Sequence, residues 1–230
     1  MIFFNHLFAE YRRKQALKKL TESSAIKSYL SHSLPKGNEL IKELEFLVLD
    51  FETTGLNAMD DQIISMGYTV IKSLHVMPTT STHILINPNK QLTEDNVGIH
   101  QLTDDELKKG VSLSHAMNVL LAEMTDRVVI VHFDAIEKGF INQACRALYQ
   151  MRSLPMIMID TLKIEQLKIR QTHGTIKPDG LRLYALREKY HLPRYKAHNA
   201  MQDAIATAEL FLAQIDYTGS VNSLKLKDLI

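Results

Sequence analysis

Asp50 and Glu52 stand two residues apart at the end of an almost continuous apolar run, Phe46-Leu47-Val48-Leu49-Asp50-Phe51. Such a run reads as a buried central strand. Successive strand side chains point to opposite faces, so the two carboxylates share one face. Side by side they repel. They stay ionised only if a cation offsets them; otherwise one pKa rises. Oxygen ligands of this kind suit Mg²⁺ or Mn²⁺. The bland alternative is a pair of solvated strand-end acids, since Asp-x-Glu is common on its own. Thr53-Thr54-Gly55 follows directly and predicts a tight turn whose backbone could approach a substrate.

A second group lies near the C-terminal end, His198-Asn199-Ala200-Met201-Gln202-Asp203. Asn199 is a natural helix N-cap and Gln202, three residues on, its capping-box partner. That places His198 just before the cap and Asp203 at the fourth helical position, the two places that meet in a hydrophobic staple. An imidazole beside a carboxylate could take a proton from a water held by the metal that Asp203 binds. The alternative is a surface histidine and a first-turn acid that favours the helix dipole. Between the two groups lies His132-Phe133-Asp134-Ala135-Ile136-Glu137-Lys138-Gly139-Phe140-Ile141, which follows one apolar run and opens a helix. Asp134 and Glu137 there could be an N-cap and its partner, or either could be a ligand.

The elements that must position these groups follow from periodicity. Near-helical spacing of Phe4, Leu7, Phe8, Tyr11, Leu17 and Leu20 predicts helix over residues 1–32. Ser33-Leu34-Pro35-Lys36-Gly37-Asn38 reads as a linker. Strands are expected at 46–51, 62–71 and 83–86, with connections short enough for an antiparallel meander. Helix 113–124, strand 127–132, helix 135–150, strand 156–160 and three helical stretches to about residue 216 follow. Alternating strands and helices imply parallel strands with crossover helices. Three antiparallel strands followed by αβαβα is the order of an α/β, RNase H-like, three-layer fold: a mixed five-stranded sheet flanked by helices. The chain is expected to divide into an N-terminal helical extension and linker (1–40), a main domain (41–216) and a C-terminal tail (217–230). The extension could dock on the domain, form a homodimer, or touch a membrane surface or nucleic acid. Docking on protein is the usual fate of an amphipathic helix.

Bulk properties bound this reading. The 230 residues suit one domain with an appendage, and 45% hydrophobic and 23% charged residues are ordinary for a globular protein. A formal net charge of +1 advertises no nucleic-acid partner, yet leaves a local basic groove open. Cys145 is the sole cysteine, so no intrachain disulfide can form, which fits a cytoplasmic protein. The apolar N-terminal stretch is too short to span a membrane and precedes its cationic residues, so no export signal and no membrane partner are expected.

Taken together, the three groups resemble the DEDD exonuclease superfamily in its His-containing branch, which includes the proofreading epsilon subunit of bacterial DNA polymerase III. The resemblance runs in order from about Glu45 to Gln214. Leu47 to Leu56 is similar to the first exonuclease motif. Ile99-His100-Gln101-Leu102-Thr103 resembles the family's Ile-His-Gly-Ile-Thr segment, with Gln101 in place of Gly. Asp160-Thr161-Leu162 resembles the strand end before the third motif, and His198 to Leu212 resembles that motif. The second motif departs from the family pattern His-Asn-Ala-x-Phe-Asp-x-x-Phe-Leu. Phe140-Ile141 sets the register, so Glu137 stands where Asp is usual and Phe133 where Asn is usual. Asp134 is the fallback ligand.

The resemblance implies a metal-dependent 3′→5′ exonuclease, with DNA favoured over RNA. Asp50, Glu52, Glu137 and Asp203 would hold two Mg²⁺ or Mn²⁺ ions about 3.5–4 Å apart, and His198 would be the general base. The partner would be nucleic acid with a free 3′ end, its terminal nucleotide beside Thr53, Gly55 and Leu56, with His100 and Phe140 near the pocket. For Phe140, plain core packing is an equal alternative. The epsilon subunit's tethering tail would follow the exonuclease domain, and the short stretch after Asp216 argues against that polymerase attachment and for a free-standing nuclease. The substitution at Glu137 keeps a second class open, a catalytically weakened nuclease-fold domain that binds nucleic acid or a protein partner.

Overall fold

In the computed structural model, residues 2–88, 102–173, 175, 179–196 and 198–230 are described. The apolar run forms the core of β1 (Glu45–Thr53), which pairs antiparallel with β2 (Ile63–Lys72) and parallel with β4 (Val128–Val131). β3 (His75–Leu85) lies outside β2, and β5 (Met158–Asp160) outside β4. The order β3-β2-β1-β4-β5 is the mixed five-stranded sheet expected of the RNase H-like fold. β3 begins at His75 rather than near residue 83, because Ser73 and Leu74 turn the chain back at positive φ and let pairing start at Lys72↔His75.

The alternation of β1 sorts its residues between two layers. Leu47, Leu49 and Phe51 face a core shared with α2 (Ala25–Ser31), α4 (Leu113–Met124) and α5 (Ala135–Tyr149). Phe46 and Val48 face the other core, where α8 (Ala200–Asp216) supplies Ala208, Phe211 and Ile215. The rings of Phe46 and Phe211 lie 5.4 Å apart. Asp50 and Glu52 continue the Phe46–Val48 series, so they emerge on the α8 side of the sheet. The remaining helices are α1 (Ile2–Lys18), α3 (Asp104–Leu107), α6 (Thr161–Gln171) and α7 (Leu183–Lys189).

The N-terminal stretch forms two helices, broken between Lys18 and Ala25, where one was expected. Ser24 caps the second by accepting from the Lys27 N–H. The arm docks on the rest of the chain. Arg13, 6% exposed, donates to the Leu30 carbonyl and pairs with Glu10 at 2.6 Å, while Arg12 donates to Ser153. Ile26, Tyr29 and Leu30 enter the main core, and the Tyr29 hydroxyl donates to the Pro155 carbonyl at 2.9 Å. At the other end, Leu40 and Lys225 form an antiparallel bridge and Leu226 is buried in the second core. Among the described residues no helix is long and apolar enough to cross a membrane.

One glycine lets α8 reach the sheet. Gly67 lies opposite Asp50 on β2, and a Cβ there would fall 2.0 Å from the Ala200 carbonyl carbon and 2.1 Å from the Met201 nitrogen. Both are backbone atoms, so the start of α8 rests on the bare strand. Gly67→Ala is therefore expected to lift the first turn of α8 and cost ~2–3 kcal/mol of unfolding free energy, measured by chemical denaturation. A change under about 0.5 kcal/mol would show that the contact does not constrain the helix.

Candidate metal centre

Carboxylate oxygens of Asp50, Glu52 and Asp203 lie within 4.8 Å of one another. Glu52 and Asp203 are buried and Asp50 is half-buried. Strand alternation brings the first two together, as the sequence predicted, and a register shift in the β1–β2 pairing falls between Glu52 and Thr53. Bulges of this kind re-aim side chains beside active sites. Asp203 arrives from α8. Asn199 caps that helix by accepting from the Gln202 N–H at 3.1 Å, which leaves Asp203 one residue further into the first turn.

The electrostatics are those of crowded, partly buried negative charge. Burial first, then the charges of Glu137, Asp203 and Glu52, push the Asp50 carboxyl well above its ordinary range. Burial likewise raises Asp203, against the hydrogen bond from Tyr184 and the backbone N–H of His198. A divalent cation among these oxygens would reverse the penalty, and an all-oxygen set of this charge fits Mg²⁺ or Mn²⁺.

Glu137 is the third residue of α5, 3% exposed, and lies outside the 4.8 Å cluster. It approaches from the opposite layer of the sheet, since α5 packs Phe140, Ile141 and Ala144 into the first core. Burial pushes its carboxyl up to about 8, offset in part by backbone N–H groups of Glu137 itself and Phe51. It therefore stands against β1 between Asp50 and Glu52 in sequence, and its Oε2 has no hydrogen-bond partner among the described residues. Asp134 occupies the N-cap position of α5 but makes no side-chain cap bond. Its carboxylate is instead paired with Lys163 at 2.5 Å. The Asp134 side chain thus does not cap the helix, and the Asp134 N–H donates to Asp160.

The turn that delivers Glu137 is tied down by Asp160, which the sequence marked only as a strand end. Asp160 accepts from the Phe133 N–H at 3.0 Å, the Asp134 N–H at 3.1 Å and the Leu162 N–H at 2.9 Å. His132 is held between Thr161 (2.8 Å) and the Leu181 carbonyl (2.9 Å), and burial lowers its pKa. Phe133 sits at φ 75° with 47% of its surface exposed. A bulky residue at positive φ is strained, whereas Asn tolerates that region.

His198 is exposed and at φ 66°, a second strained residue one position before a helix cap. Its backbone N–H donates to Asp203 Oδ2 at 3.0 Å, and its charged imidazole would favour the Asp203 carboxylate. A further donor to Asp203 is the Tyr184 hydroxyl, from α7, which sequence reasoning missed because it belongs to none of the three motifs. Of the other expected residues, Thr53 donates its hydroxyl to the Gly55 carbonyl at 2.7 Å. A Cβ on Gly55 would fall 2.5 Å from Asp61, whose carboxylate accepts from the Asn57 N–H and the Thr54 hydroxyl. Leu56 projects with 80% exposure. Phe140 is 3% exposed and packs within the first core. It also lines a cavity with Met59, Gln62, Pro88 and Leu113. His100 lies outside the described residues.

Two outcomes follow for the isolated protein. Glu137, Asp50 and Asp203 have raised pKa values when folded, so the folded state holds more protons than the unfolded state above the ordinary carboxyl range. Stability then falls as pH rises toward about 8. His83 and His132, whose pKa values are lowered by burial, act only below their ordinary value of ~6.5. The carboxyl groups depressed by ion pairs, Glu10, Glu45 and Glu165, act only below about 4.5. In EDTA the melting temperature should therefore drop between about pH 6.5 and 8.5, and Mn²⁺ should restore it at the upper end. A flat profile would contradict this picture. Phe133→Asn should stabilise the fold by ~1 kcal/mol in urea denaturation by relieving the positive φ, and a loss of stability would show that the phenyl ring earns its place by packing.

The residues around this centre match a family model for an exonuclease across residues 47–211. Among curated proteins, the chain is 26% identical over 184 residues to the PolC-type DNA polymerase III of Thermotoga maritima, covering 80% of this chain and 13% of that protein. It is 25% identical over 178 residues to the Bacillus subtilis enzyme of the same name, covering 77% and 12%. The chain thus spans about an eighth of the length of these relatives. Among solved structures, the nuclease domain of 3′hExo, a DEDDh family member bound to rAMP, superposes with a TM-score of 0.65 at 13% identity, covering 81% of this chain and 98% of that one. Escherichia coli exonuclease I with a dT13 oligonucleotide superposes with a TM-score of 0.64 at 14% identity, covering 78% and 42%. With the model match running through all three acidic motifs, the chain belongs to the RNase T exonuclease family.

Proposed function

We propose that the chain is a divalent-metal-dependent 3′→5′ exonuclease acting on nucleic acid with a free 3′ end, DNA in preference to RNA. The observation that carries the reading is the convergence of Asp50, Glu52 and Asp203 within 4.8 Å in a site whose charge calls for a cation. Asp50, Glu52, Asp203 and Glu137 would hold two Mg²⁺ or Mn²⁺ ions, which supply charge stabilisation to the scissile phosphate when bound. The residues of the chain do the rest. His198 accepts the proton of the attacking water. Its exposure gives water access, and its position beside Asp203 keeps the base next to the ligand set. Leu56, exposed at the end of the β1 turn, offers an apolar surface on which the terminal base can stack. Gly55 and the Thr53–Gly55 hydrogen bond hold the turn that presents it. The preference for DNA is supported by the polymerase relatives, which are DNA enzymes.

The test uses 5′-labelled single-stranded DNA and RNA of one sequence, with Mg²⁺, Mn²⁺ or EDTA. A ladder of progressively shortened 5′-labelled products is expected with metal, faster on DNA. Asp203→Ala should lower the rate by on the order of a hundredfold or more. His198→Ala should lower it ~10²–10⁴-fold while leaving Mn²⁺ affinity nearly unchanged. Glu137→Gln should impair cleavage and Asp134→Asn should not. Absence of products under every metal, with oligonucleotide binding retained, would favour a nuclease fold that binds without cutting.

A further inference from the structure

Asp203 is held from outside the acidic cluster on both of its oxygens. The His198 N–H donates to Oδ2 at 3.0 Å, and the Tyr184 hydroxyl donates to Oδ1. Tyr184 is half-buried and comes from α7. Three residues along the same helix, Arg187 is 1% exposed and fixes α7 to α8. Its guanidinium donates to the Ala206 carbonyl at 2.6 Å and pairs with Glu209 at 2.8 Å. It also donates to the Pro193 carbonyl at 2.7 Å and lies 4.7 Å from the centre of the Tyr195 ring, on the loop that leads to His198. Residues three apart share a helix face, so one face of α7 grips α8 at two points, one structural and one at the carboxylate cluster.

A second phenol–carboxylate pair in the chain shows what a purely structural version looks like. Tyr190 donates to Glu165 at 2.8 Å, and there Lys189 offsets the carboxylate charge at 2.5 Å. Glu165 thus has a cation of its own. Asp203 has donors, and its remaining electrostatic neighbours are of both signs, the carboxylate of Glu52 and the imidazole of His198.

We propose that Tyr184 is a positioning residue for Asp203. It fixes Oδ1, with the backbone of His198 fixing Oδ2, so that the carboxylate is held facing Asp50 and Glu52 before a cation arrives. The proposal rests on the metal-binding reading above. A hydrogen-bonded partner of a metal ligand typically contributes about 10–100-fold to metal affinity. Tyr184→Phe removes one oxygen and leaves the ring packing in place. Isothermal titration of the full chain with Mn²⁺ should show binding weakened about tenfold or more in Tyr184→Phe. The circular dichroism spectrum should be unchanged, and cleavage should recover toward wild type at saturating Mn²⁺. Tyr190→Phe should lose thermal stability with Mn²⁺ affinity held within about twofold. Equal Mn²⁺ affinity in wild type and Tyr184→Phe would overturn the proposal and leave the metal site standing. An equal loss in both tyrosine variants would overturn it too, by showing a general loosening of the fold. A wild-type chain that binds no Mn²⁺ would remove the metal reading itself.

Discussion

Mutual repulsion among carboxylates at the end of β1 is the constraint to which the surrounding structure answers. Asp50, Glu52 and Asp203 come within 4.8 Å, and Glu137 lies buried behind them. No arrangement of these groups in isolation would be stable, because each raises the free energy of ionising the others. The apolar core holds them in place. α8 is drawn onto the sheet by Ala208, Phe211 and Ile215 against Phe46 and Val48, and its first turn lands on Gly67 opposite Asp50. Burial elsewhere on the helix thus imposes proximity at its charged end. Hydrophobic association is non-directional, so the placement of the acids is a matter of register and of the missing side chain at position 67.

Polar contacts then convert proximity into orientation. Asp160 gathers three backbone N–H groups and fixes the turn that presents Glu137. Arg187 fastens α7, α8 and the segment at Pro193 and Tyr195 with one buried guanidinium. Phe133 and His198 both adopt positive φ directly ahead of the helices that carry Glu137 and Asp203. Such strain persists only where neighbours over-determine the conformation, and it concentrates at functional sites. At Phe133 the neighbour is Asp160, and at His198 it is the carboxylate of Asp203 itself.

In the proposed function Glu137 is a ligand delivered from the far layer. α5 belongs to the first core, whereas the cluster opens on the second. A side chain from α5 must pass the end of the sheet to approach Asp50, and the backbone N–H of Phe51 receives it there. Asp134, the shorter alternative, is diverted to Lys163. The flanking segments join the same fold, with Leu30 from the N-terminal helices in one core and Leu226 from the C-terminal stretch in the other.

Much of this was legible in the residues alone. The two-residue period of a strand determined that Asp50 and Glu52 share a face, and capping chemistry at Asn199 determined where Asp203 sits in its helix. The order of elements determined the sheet. These are local rules, in which spacing along the chain fixes spacing in space. The tertiary structure alone decided which layer each acid enters from, that Phe140 is core, that Asp134 is paired with Lys163 and that Tyr184 reaches Asp203. Those contacts join residues 19 or more positions apart through helix packing, and no local periodicity encodes them.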